Sequence, residues 1–324
     1  MPSTPDLPAP YVLVTGGAGF IGAHLVERLL ADGKSVLVID DLSTGSLENL
    51  QAVKSHPRLR FLQSRISACT DLPELAGRAE YIFHLAATVG VELVVQSALH
   101  VLEASFNETQ ILLRAALKNS TPLLLTSTSE VYGKSAKPEF SEEDDLLIGP
   151  PGQSRWSYAC SKLTDEFLAL AYAREKGLPV TIARLFNTVG PRQTGRYGMV
   201  LPRFIASAKA GEPLRVYGDG AQTRCFCLVH DVVESLVRLQ NCPAARGEIF
   251  NIGGTEEVSI RQLAQLVVQT LGSQSKIEII PYDQAYAPGF DDMRRRKPRV
   301  EKLEQTVAFR PKTSLRDIIL LTAK

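Results

Sequence analysis

Tyr11-Val-Leu-Val-Thr-Gly-Gly-Ala-Gly-Phe-Ile-Gly22 decides the fold of this chain. The apolar run Tyr11 to Val14 has the continuous pattern of a strand buried on both faces. Gly16, Gly19 and Gly22 follow, and then Leu25, Val26, Leu29 and Leu30 fall at helical spacing across His24 to Ala31. Strand, glycine turn and helix are the parts of a dinucleotide site. The first glycine permits a tight turn, the second lets backbone approach a pyrophosphate, and the third lets helix and strand pack closely. The helix N-terminus then offers free N–H groups and the positive end of its dipole to the anion.

Outward from this stretch, Val36-Leu-Val-Ile-Asp40 reads as a second strand. An acidic residue at its end accepts hydrogen bonds from the ribose hydroxyls of an adenosine and repels a 2′-phosphate, which favours NAD over NADP. Asp41 can share that contact. Arg60 to Gln63 is a weak third strand, Tyr81-Ile-Phe-His-Leu-Ala-Ala87 a strong fourth, Pro122 to Glu130 a fifth and Val180 to Phe186 a sixth. The small residues Ala86 and Ala87 leave room for a cofactor at the end of the fourth strand, while His84 reads as a packed strand residue. Helical spacing separates these strands, from about Val95 to Lys118 and from Trp156 to Glu175. The alternation predicts an α/β fold with a doubly wound parallel sheet.

The pattern changes after Asn187. Gly190, Pro191, Gly195, Gly198, Pro202, Gly211, Pro213, Gly218 and Gly220 crowd a short span, where a smaller substrate domain is placed. The expected division is a dinucleotide domain over 11–186, taking in segments of 225–255, and a substrate domain over 187–324. Asp231 reads as the N-cap of a helix. Glu248 to Gly254 reads as a strand that can return to the first domain.

The 324 residues carry 36 Lys and Arg against 35 Asp and Glu, a net charge of +1. That balance excludes the electrostatic footprint of a nucleic-acid or anionic-membrane binder. Arg294-Arg-Arg-Lys297 is a short solitary cluster and reads as a solvated face or a contact for a small anion. Five cysteines show neither disulfide nor zinc spacing, and Cys225 and Cys227 read as buried residues on one face of a strand. No metal site is expected. Met1 to Pro10 has no signal-peptide pattern and no apolar run reaches membrane-spanning length, so the expected compartment is the cytosol.

Tyr158-Ala-Cys-Ser-Lys162 places a phenol and an ammonium one helical turn apart. An adjacent ammonium and the cationic nicotinamide lower a phenol's pKa, so the tyrosine can take a proton from an alcohol as its hydride leaves. A hydroxyl of Ser127-Thr-Ser-Glu-Val-Tyr-Gly133 can bond the reacting oxygen, with Thr128, Ser127 and Ser129 as the candidates. Glu130 is a carboxylate at the mouth of such a site.

These motifs, together with Thr15-Gly-Gly-Ala-Gly-Phe-Ile-Gly22, His84-Leu-Ala-Ala87, Arg184-Leu-Phe-Asn-Thr-Val-Gly-Pro-Arg192, Tyr217-Gly-Asp-Gly-Ala-Gln-Thr-Arg224, Asn251-Ile-Gly-Gly254 and Arg296-Lys-Pro298, resemble the extended short-chain dehydrogenase/reductases. The resemblance is to the NAD-dependent nucleotide-sugar branch and runs from Gly16 to about Ser314. It implies a Rossmann domain holding NAD through Gly16, Gly19, Phe20, Ile21, Gly22, Asp40, Leu85, Ala86, Ala87, Tyr158 and Lys162. It implies Thr128, Glu130, Tyr158, Lys162 and Arg296 as catalytic residues. Ser129, Asn187, Arg203, Tyr217, Gln222, Arg224 and Arg296 are implied to bind a UDP-sugar, and a homodimer is implied as well.

Every reaction of that branch starts with oxidation at C4 of the sugar. Thr128-Ser129-Glu130 resembles UDP-glucuronate decarboxylases, and so do Arg296-Lys-Pro298 and Arg155-Trp-Ser-Tyr158. Arg299 stands where an aspartate is common. The alternative is a UDP-sugar 4-epimerase. Ser129 stands where 4,6-dehydratases carry an aspartate, which lowers that reading, and the tyrosine–lysine pair argues against a non-enzymatic NAD sensor.

Overall fold

The computed structural model describes residues 7–87, 97–195, 199–281 and 293–324. Val95, the expected start of a helix, and Gly198 lie outside the described residues. Six strands build the first part of the sheet: β1 (Tyr11–Thr15), β2 (Val36–Asp40), β3 (Leu59–Gln63), β4 (Ala79–His84), β5 (Leu123–Thr128) and β6 (Val180–Leu185). A later strand, β11 (Ile249–Ile252), returns to pair with β6, in register from Ile249 opposite Ile182. The order is β11-β6-β5-β4-β1-β2-β3 and every pairing is parallel, which is the doubly wound sheet expected. β1 and β2 are buried at every residue, as unbroken apolar runs in a covered parallel sheet must be.

Helices cover both faces. Against one face, α1 (Phe20–Ala31) and α6 (Val229–Gln240) pack through Leu25, Val26, Leu29, Val233 and Leu236, joined by Leu303 from α8 (Glu301–Val307). On the other face lie α2 (Leu72–Arg78), α3 (Ala98–Leu117) and α4 (Trp156–Lys176), which contribute Leu75, Leu112, Leu113 and Ala169. α4 stops at Gly177, whose φ of +68° closes the helix in a left-handed cap.

A separate core forms around α5 (Val200–Ala210), α7 (Ile260–Leu271) and α9 (Leu315–Thr322), with Leu201, Phe204, Leu263 and Ile319 at its centre. Short strands flank it. β7 (Thr188–Val189) pairs with β10 (Cys227–Leu228), β8 (Leu214–Tyr217) with β13 (Ile277–Ile280), and β9 (Thr223–Cys225) with β12 (Glu257–Ser259). Ser259 caps α7 in a reciprocal capping box with Gln262.

Several boundaries differ from expectation. α1 starts at Phe20 rather than His24, because the glycine turn feeds straight into the helix with Gly19 as N-cap. β4 stops at His84, short of Ala87, and β5 at Thr128 rather than Glu130, because Ser129–Tyr132 turns into a 3₁₀ segment. Asp231 is not an N-cap: α6 starts at Val229 after Leu228, and the Asp231 carboxylate instead accepts the backbone N–H of Thr313 at 3.1 Å. Cys225 and Cys227 are both buried, but not on one strand, since Cys225 ends β9 and Cys227 opens β10.

Candidate active site

The carboxyl ends of β1, β2, β4, β5 and β6 converge where the sheet order reverses between β1 and β4, the place where such sheets bind ligands. A cavity of about 680 Å³ opens there. Every cofactor, substrate and catalytic residue expected from the sequence lines it: the glycine turn and Asp40 on one side, Thr128, Glu130 and Tyr158 in the middle, Tyr217, Gln222 and Arg224 on the other.

On the β1 side, Gly16 has φ of +73°, and a Cβ there would sit 2.6 Å from the backbone nitrogen of Ala86. A Cβ on Gly22 would lie 2.1 Å from the carbonyl oxygen of Gly16. Both positions are closed to any side chain, so the turn stays tight and the first turn of α1 reaches the cavity uncapped by any side chain. Asp40 accepts the N–H of Ala18 at 2.9 Å and of Leu42 at 2.8 Å. Burial raises its carboxyl above the ordinary range, and these two bonds oppose that shift. Lone pairs on both oxygens remain for two ribose hydroxyls. Asp41 turns away to the N–H of Ser43 and to Arg65 at 3.3 Å. A glycine cradle, an open helix end and an acid at the second strand fit a dinucleotide without a 2′-phosphate.

At the centre, the Thr128 hydroxyl accepts the N–H of Glu130 at 3.2 Å and hydrogen-bonds the phenol of Tyr158. The 3₁₀ turn that ends β5 thus presents Glu130 toward Tyr158. Glu130 is held by two guanidiniums, Arg155 at 3.0 Å and Arg296 at 2.5 Å. The phenol of Tyr158 is raised above its ordinary value, the reverse of the shift expected from Lys162. Burial is the main cause, with the charges of Glu130 and Asp165 adding to it and the Thr128 bond opposing it. Lys162 meanwhile faces Asp165 at 3.1 Å.

Behind these groups lies a second set of buried polar residues. Glu166 takes Arg184 in a bidentate pair, with contacts of 3.0 and 2.7 Å, and accepts the Ser127 hydroxyl. Ser127 is therefore a support for α4, whereas Thr128 faces the phenol. Arg184 also donates to the Tyr132 hydroxyl at 3.0 Å, which donates to Asn251 at 2.8 Å. His84 is a packed residue, as expected, bonded to Thr15 at 2.7 Å and Thr109 at 3.1 Å. Burial drives its imidazole down to about 3.

On the far side, Asn187 at φ of +30° donates to the carbonyl of Cys225 at 2.9 Å. The guanidinium of Arg203 stacks on Tyr217 with its carbon 5.0 Å from the ring centroid, and donates to its hydroxyl at 2.5 Å. Gln222 donates to the Tyr217 carbonyl at 3.1 Å, and Arg224 donates to the carbonyl of Met293 at 2.8 Å. The cluster Arg294–Lys297 divides: Arg295 and Lys297 pair with Glu257 and Glu139 at the surface, while Arg296 turns into the cavity.

Sequence reading missed Asp165, Glu166, Ser105 and Arg65 as parts of this region. Asp165-Glu166 sits on the buried face of α4, and charged residues falling at the helical spacing of Ala159 and Ala169 are the signal that points to it.

Residues 12–253 match the NAD dependent epimerase/dehydratase family. The UDP-N-acetyl-alpha-D-glucosaminuronate decarboxylase of Bacillus cytotoxicus is 42% identical over 303 residues, 93% of each chain. The UDP-glucuronic acid decarboxylase 2 of Arabidopsis thaliana is 36% identical, over 97% of this chain and 67% of that protein. The crystal structure of UDP-glucuronic acid 4-epimerase from Bacillus cereus, in complex with UDP-glucuronic acid and NAD, superposes with a TM-score of 0.86 at 28% identity, covering 97% of this chain and 98% of that one.

Proposed function

Because the chain belongs to the NAD dependent epimerase/dehydratase family, we propose that it decarboxylates a UDP-linked hexuronate through a 4-keto intermediate. The observation that carries this reading is the convergence of Arg155 and Arg296 on Glu130 beside Tyr158. A substrate carboxylate needs a cationic partner, and guanidinium offers it aligned donors. Glu130 holds the two guanidiniums at the cavity and repels a carboxylate laid directly against itself, so the substrate carboxylate is taken by Arg296.

When bound, NAD supplies an acceptor for the C4 hydride and later returns it. Tyr158 accepts the proton of the 4-hydroxyl, and Thr128 donates to the reacting oxygen. The product of that oxidation is a β-keto acid. Its C5–C6 bond breaks, carbon dioxide leaves, and the electron pair passes to the C4 oxygen as an enolate, stabilised by the donors at Tyr158 and Thr128. A water ordered by Glu130 gives the proton to C5, and Tyr158 returns its proton to the C4 oxygen as the hydride comes back. Asn187, Arg203, Tyr217, Gln222 and Arg224 bind the UDP moiety, Arg203 stacked on Tyr217 and Arg224 supplying a cation to the diphosphate wall.

UDP-glucuronate, giving UDP-xylose, is the substrate read from Thr128-Ser129-Glu130 and Arg296. The Bacillus cytotoxicus relative, at 42% identity, extends the test to the 2-acetamido analogue. Each sugar nucleotide is incubated with enzyme and NAD, and the product is weighed. A mass lower by one carbon dioxide is the expected result, and competition between the two sugars ranks them. Likeness to the Bacillus cereus 4-epimerase supports a second reading, for which the mass is unchanged and NMR shows the C4 epimer.

The reading includes a homodimer, supported by the exposed Leu99, Leu102 and Phe106 of α3 and Phe167 of α4. Its five cysteines are free thiols, which suits the reducing cytosol. No described helix is long and apolar enough to cross a membrane.

A further inference from the structure

Asp165 is fully buried, at 0% exposure, three residues beyond Lys162 on α4. Its Oδ2 takes two donors, the Lys162 ammonium at 3.1 Å and the Ser105 hydroxyl of α3 at 2.7 Å. Its Oδ1 is buried with no hydrogen-bond partner among the described residues. The neighbouring Glu166 differs: both of its oxygens are satisfied by Arg184 and it binds Ser127 as well, so it acts as a strut between α4 and the sheet. An apolar side chain would fill the place of Asp165 without burying a half-satisfied carboxylate, which is costly in a core.

Resting on the assignment of Tyr158 and Lys162 as the acid–base pair, we propose that Asp165 is a positioning residue for the proton transfer: anchored by Ser105, it holds the Lys162 ammonium in place and offsets part of its charge. The lysine lies one helical turn from Tyr158, so its charge and orientation bear directly on the phenol. The other groups around this pair leave Asp165 as the group that sets the balance. From β4, His84 faces Lys162 but burial keeps its imidazole neutral, and α3 contributes the uncharged Thr109. After β5, Glu130 faces the phenol, already matched by Arg155 and Arg296. On the β6 side Arg184 is matched by Glu166. A tyrosine held protonated until the substrate and the cationic nicotinamide are both in place does not ionise early, and a lysine clamped at its carboxylate keeps one orientation through both hydride steps.

The test is a titration of the phenol in the NAD-loaded protein with Cζ-labelled tyrosine, using Tyr158→Phe to identify the resonance. Removing the carboxylate charge in Asp165→Asn leaves the lysine charge uncompensated, so Tyr158 ionises at lower pH, by about one unit or more. Coincident titrations, or a shift to higher pH, overturn the inference. Ser105→Ala reads it independently if the asparagine variant does not fold. Loss of the donor leaves the Asp165 charge less shielded, and the phenol moves up; an unmoved phenol overturns the anchor and the inference with it. No sugar enters these titrations, so they stand even if UDP-uronates are not turned over, an outcome that removes only the proposed reaction. With a working substrate, Asp165→Asn lowers kcat at unchanged KM and carries the acidic limb of the kcat profile to lower pH.

Discussion

Tyr158 carries the proton of the proposed reaction, and its replacement separates chemistry from binding. In Tyr158→Phe the ring still lines the cavity, but the hydroxyl that bonds Thr128 is gone. The expected loss in kcat is about 10²–10⁴-fold, the range of a general acid–base group, with UDP-sugar and NAD affinity nearly unchanged. Steady-state kinetics beside calorimetry checks both halves, and full activity in the variant removes the tyrosine from the mechanism. The tyrosine and the lysine are legible as spacing, because one helical turn separates them, whereas the strand end leaves Ser127, Thr128 and Ser129 open and only the family resemblance singles out Thr128. The direction of the phenol's shift is not legible, because burial is its main cause and the two carboxylates that add to it are brought up by the fold, Glu130 from 28 residues upstream and Asp165 from the buried face of the same helix.

His24 offers a residue-scale prediction about stability. Its Nε2–H donates to the carbonyl of Pro191 at 3.1 Å, and its Nδ1 accepts from Arg192 at 2.8 Å. This arrangement needs the neutral ring, and burial drives the imidazole from 6.5 to about 4. Below the unfolded value the unfolded chain binds a proton that the folded chain refuses, so stability is complete above about pH 6.5 and falls as the pH drops toward about 4. His84 acts with the same sign down to about pH 3. His24→Gln, which does not titrate, is expected to flatten the decline of Tm between pH 6.5 and 4 relative to the parent chain, and an unaltered slope refutes the assignment.

At the scale of elements, α4 is the part that the sheet must hold still, since it carries Tyr158, Lys162, Asp165 and Glu166 together. The Arg184–Glu166 pair bolts it to β6, with both side chains at 3% exposure or less. Glu166→Ala leaves the guanidinium buried and unpaired, and removal of one partner of a buried pair costs about 3–5 kcal/mol. Urea unfolding should show that loss as a lower midpoint at unchanged slope, and a change within error shows that Tyr132 and Asn251 suffice to hold Arg184. The seven strands of the central sheet and the helices α1, α3 and α4 were read in order, because buried parallel strands are continuous apolar runs and amphipathic helices repeat every three to four residues. What escaped the pattern was what breaks or crosses it. The 3₁₀ turn at Ser129 ends β5 early through a side-chain cap, and Phe226 sits between two short strands that belong to different ladders. The first is a local side-chain cap and the second rests on ladder partners far along the chain, and periodicity reports neither.

Over the whole molecule, one exposed apolar surface stands uncovered by the described residues. The C-terminal half of α3, with Leu112, Leu113, Ala115 and Ala116, is buried against the sheet, so those residues are core. The N-terminal half instead exposes Leu99 at 68%, Leu102 at 38% and Phe106 at 41%. These three recur at helical spacing along one stripe, and Phe167 at 68% adds a ring from the adjoining α4. A stripe of large apolar side chains across two packed helices marks a protein contact more than a solvated face. In the proposed homodimer a second copy would cover it by two-fold symmetry, each α3–α4 pair packing on the other so that one patch covers itself. The active-site cavity opens elsewhere on the same helices, through Tyr158 and Lys162 of α4 and Ala104, Ser105 and Glu108 of α3, so association would stiffen the wall that carries the acid–base pair. Phe167→Glu places a charge at the centre of the patch. Sedimentation is expected to show a dimer for the parent chain and a monomer for the variant, with a lower Tm that no longer depends on protein concentration. A parent chain that sediments as a monomer at working concentration refutes the dimer outright, and a variant that remains dimeric moves the interface to another face.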